Sequence, residues 1–233
     1  MRSAAKTKPI GMMPDTGRIV TELGAAREAQ RSIWPQGDPH LPGFEIAAAS
    51  RPASEVGGDF FDFIWLDPEH QALCLAIGDV AGKGMRAAMR AVLATGMIGA
   101  RLEGGEPLAN ALESVNRLAF RKASGRQFTA LGLVRLETPG RTLSYVNAGM
   151  TEPLLRSGDG VRFLGSDSPR YPLGIHEHVT YDETRLRLEP GDVLLLYTDG
   201  VPEAQSPDGE VYGYDALAEW LAAAELEQLS ATE

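Results

Sequence analysis

At 233 residues, with 43% hydrophobic and 23% charged residues, the chain has the size and composition of one large globular domain, or of one domain with a short extension. A net charge of −10 argues against nucleic acid, which demands a basic face. No run approaches the roughly 20 apolar residues of a membrane span, and no apolar stretch follows Arg2, Lys6 and Lys8 as it would in a secretory leader. The single cysteine, Cys74, lies in the apolar run Ala72–Ile77 and reads as a buried, inert thiol. With no partner for a disulfide, the chain is expected in the reducing cytosol.

Residues 1–17 are interrupted by Pro9, Gly11, Pro14 and Gly17 and read as a flexible segment. A helical pattern follows from Arg18 to Ile33. Ile19, Leu23, Ala26, Gln30 and Ile33 repeat at coiled-coil spacing, which fits either a homodimer contact or a helix on the domain's own surface. Trp34-Pro35 ends the helix, and Pro39, Pro42 and Gly43 form a linker, so residues 18–43 lead into a domain spanning 44–233. Phe44–Ser50 is a first strand candidate.

Residues 56–84 then read as strand, tight loop, strand and a glycine-rich turn into a helix. The loop Asp67-Pro68-Glu69-His70-Gln71 carries turn chemistry. If Leu66 pairs with Ala72, Phe60 falls opposite Gly78 and Asp59 opposite Asp79, with Cβ atoms about 5 Å apart. Two carboxylates that close repel unless a cation lies between them. The other reading has one aspartate capping the next helix and the register slipped by one residue.

Helices are expected over Met85–Leu102 and Pro107–Lys122. Strands are expected at Gln127–Glu137, Thr142–Asn147, Leu154–Arg156, Tyr181–Leu188 and Val193–Thr198, and a last helix from Tyr214 onward. The short connections imply antiparallel pairing. The continuously apolar strands Ala72–Ile77 and Val193–Tyr197 imply burial on both faces. Together these predict an α+β fold: a four-layer αββα sandwich of two antiparallel sheets with helices outside. Gly158–Thr180 reads as loop, with His176 and His178 exposed. Arg117, Arg121, Lys122 and Arg126 form a modest basic patch, read as a solvated face.

Three aspartates stand at strand ends beside glycine or a sharp turn: Asp59, Asp79 and Asp199. Oxygen ligands without cysteine or a histidine cluster point to Mg²⁺ or Mn²⁺ rather than zinc. Gly78–Gly84 fails as a P-loop, having three residues rather than four before Gly82-Lys83 and no following hydroxyl. No G-x-S-x-G hydrolase elbow occurs.

Residues 53–62 (ASEVGGDFFD) and 77–84 (IGDVAGKG) closely resemble two motifs of the bacterial SpoIIE/RsbU-like serine/threonine phosphatases, in the metal-dependent PPM (PP2C-type) superfamily. The resemblance continues through Asn147-Ala148-Gly149, Pro172-Leu173-Gly174, residues 196–204 (LYTDGVPEA) and the helical stretch 22–30. It implies a PP2C-like αββα sandwich around a pair of Mn²⁺ or Mg²⁺ ions. Asp79 would bridge both ions, the Val80 carbonyl would bind one, Asp199 would bind the other, and Asp59 would help hold the site directly or through water. The implied activity is hydrolysis of phosphoserine or phosphothreonine by direct attack of water. The implied substrate is an anti-sigma-factor antagonist of the STAS type in a partner-switching pathway.

Two departures stand out. Met150 occupies a position that is usually histidine. The family's closing Asp-Asp-x-Thr strand is absent before Glu233, so the chain is expected to be truncated; Glu225 and Glu227, on a helix, are poor substitutes. The alternative expectation is a non-catalytic regulatory module that binds its partner without turnover.

Overall fold

The computed structural model describes residues 16–52, 56–122, 127–165, 168–225 and 230–232. The expected flexible segment, apart from its last two residues, lies outside the described residues, as do Arg126 and Glu227. The elements in order are α1 (Thr16–Ile33), β1 (Phe60–Trp65), β2 (Ala72–Val80), α2 (Met85–Glu103), α3 (Leu108–Lys122), β3 (Thr129–Glu137), β4 (Thr142–Ala148), β5 (Leu154–Ser157), β6 (Gly160–Phe163), β7 (Glu183–Arg187), β8 (Val193–Leu195) and α4 (Tyr214–Ala223).

Two antiparallel sheets result. One has the order β1-β2-β3-β4-β7 and the other the order β6-β5-β8. Strand alternation sends successive side chains to opposite faces. On the first sheet, Cys74, Ala76, Leu131, Leu133 and Val146 pack beneath α2 and α3, with Ile98, Leu112 and Val115. The opposite face sends Leu73, Val134, Leu136, Leu143 and Tyr145 against Leu155, Leu164, Leu194 and Leu196 around the second sheet. The outer face of that sheet sends Leu154 against Leu217 and Leu221 of α4. The order helix, sheet, sheet, helix is the four-layer arrangement that the doubly apolar strands predicted. Each fully buried leucine contributes about 1.5–3 kcal/mol, and the inter-sheet layer holds the two sheets in fixed relation.

Several expectations are corrected. Phe44–Ser50 joins no strand ladder among the described residues. Phe44 and Ile46 pack on the inter-sheet cluster, so their burial is met by side-chain contact alone. The turn Ser157–Gly160 closes a hairpin into β6, inside the stretch read as loop. β8 stops at Leu195 and is half-buried rather than buried, because it is an edge, paired only with β5 among the described residues. α4 ends at Ala223 instead of running to the terminus; Ala224 turns to extended backbone and Arg156 donates to the carbonyl of Leu221 at 3.3 Å. Glu225 is exposed beyond that helix. His176 and His178 are exposed as expected. Of the α1 seam, Leu23 and Ala26 are half-buried and Gln30 is buried in the domain, while Ile33 remains exposed. Among the described residues, no helix is long and apolar enough to cross a membrane.

Candidate metal centre

The site begins with the β1–β2 turn. The Asp67 carboxylate accepts from the backbone N–H of Gln71 at 3.0 Å and from that of Ala72. These bonds hold its pKa below the usual carboxylate range, the Gln71 bond most of all. The His70 ring stacks on Trp65 at 4.2 Å, with His70 itself at φ 54°. The Leu66 N–H donates to Ala72 O at 3.0 Å, and from there the ladder runs without a bulge to Phe60 opposite Gly78. The predicted register is therefore the observed one, and Asp59 comes opposite Asp79 one step past the last pair.

Gly78 makes this register sterically possible. A Cβ there would lie 2.3 Å from Cζ of Phe60 and 2.9 Å from the Ala130 carbonyl. The aromatic ring thus occupies the space of the missing side chain and seals the helix-facing side of the hairpin.

Asp79 shares its face of β2 with Leu73 and Leu75, which pack between the sheets. Thr198 continues the alternation of Leu194 and Leu196, which pack there too. Both segments thus bring their polar ends to the same edge of the inter-sheet layer. Thr198 Oγ1 donates to Asp59 Oδ2 at 3.0 Å, joining residues 139 positions apart. Burial pushes the Asp79 carboxyl up to about 7, and the adjacent Asp59 and Asp199 carboxylates add to the rise. The three aspartates singled out from sequence are thus brought together, each half-buried, with Asp59 and Asp199 both acting on Asp79.

Gly58 shapes the floor of this cluster. A Cβ on Gly58 would lie 2.7 Å from the Val80 carbonyl oxygen and 3.2 Å from Asp79 Oδ1. Its absence leaves those two oxygens facing an open cradle. An all-oxygen donor set with excess negative charge fits a hard divalent cation. Among the described residues, however, no three Asp, Glu, His or Cys side chains already stand in cage geometry. The oxygens gathered here are those of Asp59 and Asp79, the Asp199 carboxylate close enough to act on Asp79 electrostatically, and the Val80 carbonyl.

Two supports escaped the sequence reading. Gln30 of α1, buried, donates to the Gly57 carbonyl at 2.8 Å and accepts from the Gly57 N–H at 3.3 Å. The leading helix therefore grips the loop that carries Gly58 and Asp59. Its position in the apolar seam was the available signal, since a glutamine there needs a buried partner. The second support is Thr198, hidden because a hydroxyl beside an aspartate has no distinguishing local pattern. The departure at Met150 also acquires a structural role. Asn147 bonds both the N–H and the carbonyl of Met150, at 2.7 and 3.0 Å, and the Met150 side chain is buried over Gly132.

The family model described as Stage II sporulation protein E (SpoIIE) matches residues 69–232. The chain belongs to the SpoIIE family. Among curated relatives, Protein IcfG of Synechocystis is 29% identical, over 87% of this chain and 36% of its own length. Phosphoserine phosphatase RsbU of Bacillus subtilis is 25% identical, over 82% of this chain and 56% of its own. The chain thus spans between about a third and just over half of these relatives. The SiaA-PP2C domain of Pseudomonas aeruginosa superposes with a TM-score of 0.71 at 23% identity, covering 91% of this chain and 84% of that one. That likeness establishes the fold. The SpoIIE family member described here has the PP2C-type α+β architecture that its sequence predicted.

Proposed function

We propose that this chain is a metal-dependent protein serine/threonine phosphatase acting on a phosphorylated regulatory protein. The observation that carries the reading is the meeting of Asp59, Asp79 and Asp199 at one edge of the inter-sheet layer, with the Val80 carbonyl open beside Gly58. On this reading residues 44–233 form the catalytic domain and 18–43 the helix and linker leading into it. The residues that would hold a pair of Mn²⁺ or Mg²⁺ ions are Asp79, Asp199 and the Val80 carbonyl, with Asp59 helping to hold the site directly or through water. When bound, such ions lower the pKa of water and offset charge on a phosphoryl group.

The chain's own part follows from its geometry. Its carboxylates would repel a phosphate unless neutralised, so substrate binding waits on the cation. The half-buried position limits water around the cluster and strengthens electrostatic contacts there.

The relative RsbU bears the name phosphoserine phosphatase, which supports phosphoserine as substrate class. A STAS-type anti-sigma-factor antagonist in a cytoplasmic partner-switching pathway is the specific partner proposed, and α1 is where a second copy would pack in a homodimer. Manganese-dependent release of phosphate from a phosphoserine STAS protein tests the activity. The reading fails if release survives both chelator and Asp79→Asn.

The lack of a ready-made cage among the described residues favours a second reading, a module that binds its partner without turnover. Saturable binding of the phosphoprotein, with no metal-dependent phosphate release, would establish it.

A further inference from the structure

The Thr198–Asp59 hydrogen bond is the one described side-chain bond that ties the hairpin's end of the site to the β8 end. The backbone around Thr198 is held on both sides. The Thr198 carbonyl accepts from the Val201 N–H at 3.2 Å, closing the turn that carries Asp199. The neighbouring Tyr197 is buried, and its carbonyl accepts from the Thr151 hydroxyl. Thr151 directly follows Met150, whose backbone Asn147 clasps at both ends. The threonine hydroxyl is therefore presented from a braced backbone rather than from a loose loop.

A hydroxyl has one proton to give. Here it goes to Asp59, and a carboxylate that accepts it keeps one oxygen occupied and its plane fixed. Asp59 otherwise hangs on the loop from Val56, beyond the last pair of the β1–β2 ladder, with Gln30 gripping Gly57 two residues earlier. The threonine bond restrains the rotation of a side chain that also meets Asp79 directly.

We infer that Thr198 is a positioning residue for cation binding: it aims Asp59 at the cluster and couples the turn bearing Asp199 to the hairpin bearing Asp79. The inference rests on the reading of these aspartates as metal ligands. It adds a residue that binds no ion itself and acts through the orientation of one that would. Groups that orient metal ligands are typically worth 10–100-fold in affinity.

Calorimetric titration of the chain with Mn²⁺, without substrate, tests it in Thr198→Val and Thr198→Ser. Valine keeps the shape and removes the proton; serine keeps the proton and removes the methyl. Expected is a Mn²⁺ affinity weakened about 10–100-fold in Thr198→Val and restored to within about threefold of wild type in Thr198→Ser. Metal-free melting of both variants reports the fold independently of the titration. Equal affinity in wild type and Thr198→Val, or equal losses in Val and Ser, overturns the inference while leaving the metal reading standing. A wild-type chain that takes up no Mn²⁺ overturns the metal reading itself and this inference with it.

Discussion

The two sheets meet at the site from opposite conditions. The β1–β4 core of the first sheet has six- to nine-residue strands in unbroken register, packed against helices on one face and the second sheet on the other. The second sheet has strands of four, four and three residues, and its β8 edge is half-buried. Asp79 is built into the former, whereas Asp199 follows the latter on a turn. The contrast suggests a division of labour: a rigid half fixes one carboxylate, and a less constrained half brings the other to it through Thr198.

The largest effect should come from the rigid half. Asp79→Asn is expected to weaken Mn²⁺ binding by more than about a hundredfold and to abolish phosphate release. The same change removes a partly buried, repelled carboxylate, so the metal-free protein should melt higher, by roughly 2–4 °C if the relief is worth about 1 kcal/mol. A lower melting temperature would mean that Asp79 is structural rather than strained. Calorimetry and metal-free thermal melting read the two halves of this prediction separately.

Packing gives the next contrast. Leu133→Ala, beneath α2 and α3, should cost about 2–5 kcal/mol in urea unfolding. Leu194→Ala, on half-buried β8, should cost roughly 1–2 kcal/mol. Equal costs would erase the distinction between a rigid and a looser sheet. A steric pair sharpens it within the site. Gly58→Ala drives a methyl toward the Val80 carbonyl and should weaken Mn²⁺ binding about tenfold. Gly57→Ala meets nothing nearer than 3.7 Å and should change affinity less than about twofold. The smallest signal is dynamic. In native-state hydrogen exchange, β2 and β3 amides should exchange only near global unfolding, and β8 amides earlier.

What could be read along the chain was read where one short segment carried all its own constraints. Residues 59–79 hold the turn, the alternation and both aspartates, so the hairpin register followed from counting. The apolar run of β2 likewise announced burial on two faces. The failures fall where a partner decides. Phe44 and Ile46 looked like strand residues because burial and β-structure share a pattern. β8 looked deeply buried because an apolar run does not tell a central strand from an edge. β6, with only one half-buried apolar residue in Val161 and an exposed Phe163, offered no periodicity to find.

The sequence by itself carried the candidate oxygen groups and the local geometry: three aspartates at strand ends, glycines where backbone must come close, and two candidate registers, one of which sets Asp59 against Asp79 and is the one the hairpin adopts. Those depend on contacts within about twenty residues, where chain connectivity leaves few alternatives. Tertiary structure alone decided that Thr198 would close onto Asp59 and Gln30 onto Gly57. Such bonds exist only once two sheets and a helix have packed, because each joins groups that nothing in the local chain holds near one another.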